Sequence, residues 1–459
     1  MKYDTIIIGA GLSGLAAGIR LAHFEKRVLI LERHTTIGGL NSFYRLRARN
    51  HDVGLHAVTN YAKPGTKKGP LSKLLRQLRL SWDDFGLCPQ VESAVAFPDC
   101  TLRFTNEFAF LESQVAERFP SQIDGFRRLV EKIDQHDALS LNREPVWSRP
   151  ILAEFISDPL LIEMLLCPLL LYGSATPRDM DFNQFVILFQ SIYQEGFARP
   201  YGGVRQMLKP LVRKYKSLGG ELRLRCGVKT IHTHGDRAVS VELDDGEIIE
   251  ADNVLSSAGS TETLRLVENA QSEAQEYKPG ELSFVETIFS LDREPLDFGH
   301  KETVIFYNSL PKFHYECPSE PVDIRSGIVC SPNNFQYDEP LDEGRIRITA
   351  LADPDPWMSW PEEKYVAEKE HWCAAIAEAS QQFIPDFRPH IVDTDMFTPR
   401  TITKYTGHLN GAVYGAAEKV VDGRTHLENL YLCGTDQGFL GIIGAMLSGV
   451  SISNAYLLR

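Results

Sequence analysis

The sequence predicts an α/β protein that binds a dinucleotide, on three observations. Residues 3–43 run strand, glycine turn, helix, strand and acid, in that order. Residues 202–228 and 429–458 carry further glycine turns, helices and strands. The chain of 459 residues is 43% hydrophobic and 24% charged, an ordinary globular composition with room for a large core and two domains.

The first unit is the most explicit. Ile6, Ile7 and Ile8 form a short apolar run, the pattern of a strand buried on both faces. Gly9-Ala10-Gly11-Leu12-Ser13-Gly14 follows, a G-x-G-x-x-G. Gly9 permits the tight turn, Gly11 lets the backbone approach a pyrophosphate, and Gly14 lets the next helix pack close to the strand. Residues 15–24 read as that helix, with Leu15, Ile19 and Ala22 on one face and its N-terminal N–H groups toward the phosphates. Residues 28–31 are a second strand. Glu32 ends it about 20 residues beyond Gly11, where a carboxylate accepts hydrogen bonds from ribose hydroxyls and repels a 2′-phosphate. NADP is therefore disfavoured, and an ordinary glycine-rich turn does not account for Glu32. Gly38-Gly39 then lets a loop cross close beneath a bound pyrophosphate.

At the far end, Leu430-Tyr431-Leu432 is a short buried strand and Gly434-Thr435-Asp436 a turn. Gly441 and Gly444 read as loop, and Ala445 opens a helix with Leu447, Val450, Ser451 and Asn454 at helical spacing. In the middle, Gly202-Gly203 is a turn, residues 204–218 a helix kinked at Pro210, and Cys226-Gly227-Val228 part of a strand. Residues 246–259 read as two strands ending in small residues.

The net charge of −13 argues against nucleic acid as a partner. The eight cysteines show no C-x-x-C and no metal-like spacing, so they read as reduced, buried thiols of a cytoplasmic protein. No signal peptide precedes the first strand. No apolar run reaches the roughly 18–20 residues that span a bilayer. The most apolar stretch, residues 160–173, is interrupted by Glu163 and Pro168.

Glu32 followed by Gly38-Gly39 resembles the flavoprotein superfamily of amine oxidases, phytoene desaturases and GDP-dissociation inhibitors. Asp52-Val53-Gly54-Leu55-His56 resembles the next strand of its desaturase-like members, while Leu40-Asn41 stands where many amine oxidases carry Arg. Residues 430–457 resemble the end of retinol saturases and carotenoid isomerases or desaturases. Residues 398–419, with Gly411, Tyr414 and Gly415, resemble the loop beside the flavin ring in that group.

The resemblance implies FAD in a Rossmann-type domain assembled from discontinuous segments, residues 1–65, 196–261 and 396–459. Residues 66–195 and 262–395 form an α+β substrate domain. The resemblance implies cofactor contacts at Gly9, Gly11, Leu12, Ser13, Gly14, Glu32, Arg33, Gly38, Gly39, Leu40, Asn41 and His56. It adds Val228 at the adenine, Ala258 near the dinucleotide, and Gly434, Asp436 through its side chain or its backbone, Gly444 and Ala445 at the ribityl, phosphate and ring. A helix N-terminus aimed at the ring would stabilise the anionic reduced flavin.

The function implied is that of an FAD-dependent oxidoreductase that desaturates, saturates or isomerises a long apolar isoprenoid or polyene. Two alternatives stay open: an amine or porphyrinogen oxidase, and a non-catalytic lipid-binding protein of the GDP-dissociation-inhibitor type. No Ser-His-Asp order, H-E-x-x-H or metal cluster is evident, so the hard chemistry would be the flavin's. His56, His314, Tyr315 and Glu316 are the candidate acid–base groups.

Phe182, Phe185, Phe189 and Tyr193 fall at helical spacing. With residues 160–172 they line a long apolar tunnel or form an ordinary core. Leu71, Leu74, Leu75 and Leu78 share one face of residues 70–80, with Lys73, Arg76 and Arg79 elsewhere. That is the pattern of a surface helix, or of a basic amphipathic helix in peripheral contact with the inner face of a membrane.

Overall fold

The computed structural model describes residues 2–54, 56–137, 146–270 and 277–458, so Leu55 of the Asp-Val-Gly-Leu-His stretch lies outside the described residues. The described strands build two seven-stranded sheets and two short ribbons. In the first sheet, Tyr3–Ile8 lies between Val28–Glu32 and Ile248–Ser256, all parallel, and Glu221–Leu224 extends it beyond Val28–Glu32. These strands are apolar throughout because both faces are covered. Ile7, Ile30 and Leu255 pack under the helices Leu12–Ala22, Val204–Ser217 and Gly441–Ile452. Ile6, Leu29 and Val254 pack against Ile231 and Val241 of the antiparallel pair Val228–His234 and Arg237–Leu243.

Several boundaries differ from the sequence reading. Residues 248–256 are one strand, not two. Its first residues pair antiparallel with Arg237–Leu243 and its last pair parallel with Leu430–Leu432. Burial alternates in its first half and is continuous at its end, so its pattern changes midway. Cys226-Gly227 lies between two strands, broken where Arg225 takes φ 58°. The last long helix begins at Gly441, so Gly444 is helical. Burial of Ile442, Ile443 and Met446 overrides the weak helix propensity of glycine.

The second sheet runs, in order, Ile391–Phe397, Ser283–Leu291, Gly344–Ala352, Ser326–Cys330, Val304–Asn308, Ser93–Phe97 and Cys100–Phe104. Its period of two sorts side chains between faces. Phe289, Tyr307, Val329, Ile346 and Ile348 go one way, into a core with Trp357 and Ile376. Phe284, Phe306, Ile328 and Leu351 go the other way, into a core closed by Pro159–Gly173 and Phe182–Phe189. The strand Ile391–Phe397 and the helix Ser260–Leu264 straddle the domain boundaries drawn at 395/396 and 261/262.

In that second core the rings expected to line a tunnel pack on one another, while Leu171 and Tyr172 of the stretch 160–172 border a cavity. Phe182 stacks on Phe185 with ring centroids 5.7 Å apart, Phe185 meets Phe189 at 5.8 Å, and Phe189 meets Tyr193 edge-on at 5.2 Å. These rings fill the interior as packed aromatics do. The helix Pro159–Gly173 runs on through Pro168, and its buried Glu163 takes a two-pronged bond from Arg149 at 2.7 and 3.0 Å. The helix Pro70–Leu78 also turns inward: Leu71, Leu74, Leu75 and Leu78 are all buried in the core of the first sheet. Its apolar face is spent there and is not available to a bilayer. Among the described residues, no helix is long and apolar enough to cross a membrane.

Candidate functional site

One large cavity runs along the seam between the two sheets. Its first wall is built mostly of backbone. The turn at Gly9-Ala10-Gly11 leaves the strand Tyr3–Ile8 and enters the helix Leu12–Ala22. A Cβ at Gly14 would overlap the carbonyl oxygen of Gly9, so only glycine lets the helix sit directly on the turn. Gly11 is the opposite case. A Cβ there meets nothing within 4 Å and projects into open space. The Gly38-Gly39 loop is tied to this turn by the bond from Gly38 N to Ala10 O, 2.9 Å. Leu40 and Asn41 border the cavity beside it.

Glu32 lies at the end of its strand, with Oε2 accepting from Ala10 N at 2.9 Å and Oε1 from His34 N at 3.0 Å. Each oxygen keeps a second lone pair for a ligand hydroxyl. Arg33, Val228 and Ala258 border the same end. From the other side come Gly434 and Ala445, so the starts of the helices Leu12–Ala22 and Gly441–Ile452 both face the cavity. Two helix N-termini, an open position at Gly11 and a carboxylate beside the turn fit a pyrophosphate and a ribose.

Gly9, Gly11, Leu12, Ser13, Glu32, Arg33, Gly38, Gly39, Leu40, Asn41, His56, Val228, Ala258, Gly434 and Ala445 all border the cavity, but Gly14, Asp436 and Gly444 do not. At Asp436 the side chain is engaged elsewhere, which leaves the backbone as the part of the residue able to meet a cofactor. Its Oδ2 accepts from Ser260 N and Oγ at 2.6 and 2.7 Å, and its Oδ1 from Ala416 N at 2.9 Å. The carboxylate faces away from the cavity and clamps three chain segments together. Tyr414 does border the cavity, and its hydroxyl donates to Leu171 O at 2.6 Å.

The second wall is made of side chains. Leu171, Phe284, Ile328, Val413, Phe439 and Leu440 give it an apolar lining. Set into it are His56, Tyr172, Glu286 and Thr349. Glu286 and Thr349 are direct partners across neighbouring strands, so the pleat points both at the cavity. Behind them lies a buried charge cluster. Arg347 holds Glu286 and donates through Nη2 to Asp52 O and Val53 O at 3.1 and 2.5 Å. Arg199 pairs with Asp52 at 2.5 Å and donates to His56 O at 3.0 Å.

These surroundings set the protonation states. Burial, then Arg347 and Arg199, hold His56 well below the ordinary histidine range, so its imidazole is neutral. Its Nε2 shares a hydrogen with Thr349 Oγ1 at 2.9 Å. Burial pushes Glu286 above the ordinary carboxylate range against the pull of Arg347. Burial also keeps the Tyr172 hydroxyl protonated. That hydroxyl makes no well-formed hydrogen bond within the protein, although Ala57 N–H lies near it.

Of the four candidate acid–base groups, His56 borders the cavity and the others do not. Tyr315 donates to Ser174 O at 2.6 Å, Glu316 pairs with Arg178 at 2.5 Å, and His314 sits beside them in the chain, half-buried. Glu286, Thr349, Arg347 and Arg199 are not singled out by the sequence, and Tyr172 only as the end of the apolar stretch 160–172. The available signal is a charge at an inward-phase position of an apolar strand, as in Ser-Phe-Val-Glu-Thr-Ile-Phe and Arg-Ile-Arg-Ile-Thr.

The protein is similar in sequence and fold to several known ones. Prolycopene isomerase of Arabidopsis thaliana is 22% identical, over 98% of this chain and 81% of its own. The lycopene-forming phytoene desaturase of a Paracoccus species is 24% identical, over 96% and 95%. Among solved structures, an oxidoreductase from Methanosarcina mazei shares the fold with a TM-score of 0.70 at 18% identity, covering 99% of this chain and 100% of that one. The family described as "Flavin containing amine oxidoreductase" matches residues 12–328, well over half of the sequence. The chain belongs to this family and is an FAD-dependent oxidoreductase.

Proposed function

We propose that this oxidoreductase adds, removes or rearranges a double bond in a long apolar isoprenoid or polyene. The observation that carries the reading is the second wall of the cavity. Six apolar side chains line it, and no lysine or arginine borders that half. The arginines that do reach the cavity, Arg33 and Arg265, stand at the Val228 end, among the described residues. Burying apolar substrate surface against this wall gains about 25 cal/mol per Å². A cationic amine would find instead a neutral His56 and a Glu286 already held by Arg347. The carotenoid enzymes among the relatives support the same reading.

In this reading residues 1–65, 196–261 and 396–459 hold the cofactor, and residues 66–195 and 262–395 shape the substrate half. Gly11, Ser13 and Gly38 would face the pyrophosphate, Glu32 the ribose, and Gly434 with Ala445 the ring end. Bound FAD supplies the hydride chemistry. The chain binds and orients the polyene along Leu171, Phe284 and Ile328, and it excludes water there.

The test is anaerobic turnover by the FAD-loaded protein with phytoene, a carotene and retinol, against amines and porphyrinogens. Product from a polyene, with none from the other two classes, is expected. Preference for an amine or a porphyrinogen overturns the reading.

A further inference from the structure

We propose that Glu286 is the proton-exchange group of this site, giving a proton to, or taking one from, the reacting carbon at the apolar wall. The inference rests on the polyene reading for the identity of the substrate, but not for the titration of Glu286 itself.

Position carries it first. Three carboxylates border the cavity among the described residues, Glu32, Glu262 and Glu286. Glu32 is engaged by the backbone at the glycine turn, and Glu262 accepts from Leu409 N at 2.9 Å. Glu286 alone of the three stands in the apolar half, between Phe284 and Ile288 in sequence and opposite Thr349 across the sheet.

Hydrogen-bond geometry carries it next. Arg347 holds Oε1, while Oε2 lies 3.6 Å from His56 Nε2, beyond hydrogen-bond reach. Oε2 is therefore the oxygen placed to carry a proton into the cavity.

The surrounding charges favour exchange in both directions. Arg347, and Arg199 further off, stabilise the carboxylate, while burial and Asp52 favour the acid. Tyr44 and Cys330 also sense its charge, and both are pushed upward by burial, so they stay neutral. His56 is neutral as well, and burial holds the Tyr172 hydroxyl on this wall in its protonated form, so Glu286 is the group here whose acid and carboxylate forms are both drawn on by its surroundings. A buried carboxyl between an arginine and an apolar cavity has its two forms pulled in opposite directions, the arrangement that suits a carboxylic acid to proton transfer.

The step balances in either direction. Saturating one C=C bond adds a hydride equivalent, supplied by the reduced cofactor, and one proton. The Oε2–H bond breaks, a C–H bond forms, and the carboxylate stays against Arg347 until solvent reprotonates it. Desaturation reverses this, with the substrate's proton moving to Oε2. Isomerisation uses the same proton out and back, with no net change.

The experiment compares wild type with Glu286→Gln as full-length, FAD-loaded protein, using two readouts. The first needs no substrate: the midpoint potential of the bound flavin is followed against pH. Wild type should show an inflection from a group beyond the flavin, and Glu286→Gln should lack it. Identical profiles overturn the proposal whatever the substrate is. The second is turnover with the accepted polyene. There kcat should fall roughly 100-fold in Glu286→Gln at little-changed KM. An unchanged kcat also overturns it. If the inflection behaves as expected but no polyene reacts, the substrate reading fails and the assignment of Glu286 stands. If Glu286→Gln does not fold, Glu286→Asp, which keeps the acid on a shorter arm, carries the same titration. A shifted inflection there supports the proposal, and an unshifted one overturns it.

Discussion

The two walls of the cavity are built by different means. The wall at Gly9–Gly14 and Gly38-Gly39 presents backbone, helix ends and open glycine positions. The wall at Phe284, Glu286, Ile328 and Thr349 presents side chains sorted by the pleat of a sheet. A backbone wall is specified locally, within one strand–turn–helix unit. A side-chain wall is specified by register between strands far apart in sequence. The same motif can thus serve many chemistries, while the sheet opposite decides which one.

The sharpest way to break this comparison lies inside the motif itself. Gly14→Val forces a side chain into the Gly9 carbonyl and has no room to relax, so it should abolish folding or remove the flavin with a large loss of stability. Gly11→Val enters open space at the helix N-cap. It should leave thermal stability of the apoprotein nearly unchanged while cutting flavin occupancy. Thermal melts and the visible flavin spectrum separate the two. Equal melting temperatures for both variants would show that Gly14 is not a packing glycine.

Phe185→Ala tests the side-chain half away from the cavity. The ring is wholly buried and does not border the site. Its removal should cost about 3–5 kcal/mol, as large aromatic deletions do. Turnover per flavin-loaded molecule should hold. A selective loss of polyene turnover at normal stability would restore the tunnel that the sequence suggested for this helix.

Legibility followed the same division. The turn and Gly38-Gly39 could be read because each glycine answers a local constraint, a tight turn or a close approach, and Glu32 because it closes an apolar strand beside that turn. The Gly-x-Asp turn points to Asp436 or its backbone as a cofactor contact, and the structure shows its carboxylate held by Ser260 and Ala416. Nothing local announces partners so far away in the chain. Glu286 and Thr349 stayed hidden for a related reason. Their meeting depends on the pairing of Ser283–Leu291 with Gly344–Ala352, which no short motif encodes. His56 was found through its neighbours in sequence, whereas its hydrogen-bond partner Thr349 was not.

A smaller effect sits behind Tyr414, away from the cavity. Lys419 donates to Tyr414 O at 2.6 Å, and burial lowers its pKa from 10.5 to about 8, partly opposed by Asp436. The unfolded chain therefore binds more protons between about 8 and 10.5, and this lysine makes stability rise with pH across that window. Converted at ~1.4 kcal/mol per pH unit, the swing is at most about 3.5 kcal/mol. The melting temperature of wild type should gain on that of Lys419→Met as pH climbs through the window. A constant difference would mean that Lys419 titrates normally.

The smallest expected effect lies on the exposed face of the helix Pro70–Leu78, whose other face is core. Leu74 is fully buried beside the helices of the first sheet, whereas Lys73 and Arg76 are exposed. Leu74→Ala should cost roughly 2–5 kcal/mol as a core truncation. Lys73→Ser and Arg76→Ser should stay within about 0.5 kcal/mol, because exposed charges away from special features contribute little. With the leucines turned inward, the helix has only its charges to offer an anionic surface, and such attraction is screened within about 10 Å at 0.1 M salt. Sedimentation with anionic vesicles at physiological salt should therefore give the same bound fraction for wild type and for the double variant Lys73→Ser/Arg76→Ser. A clear loss of binding in the double variant would make this helix a membrane-contact element held by charge alone.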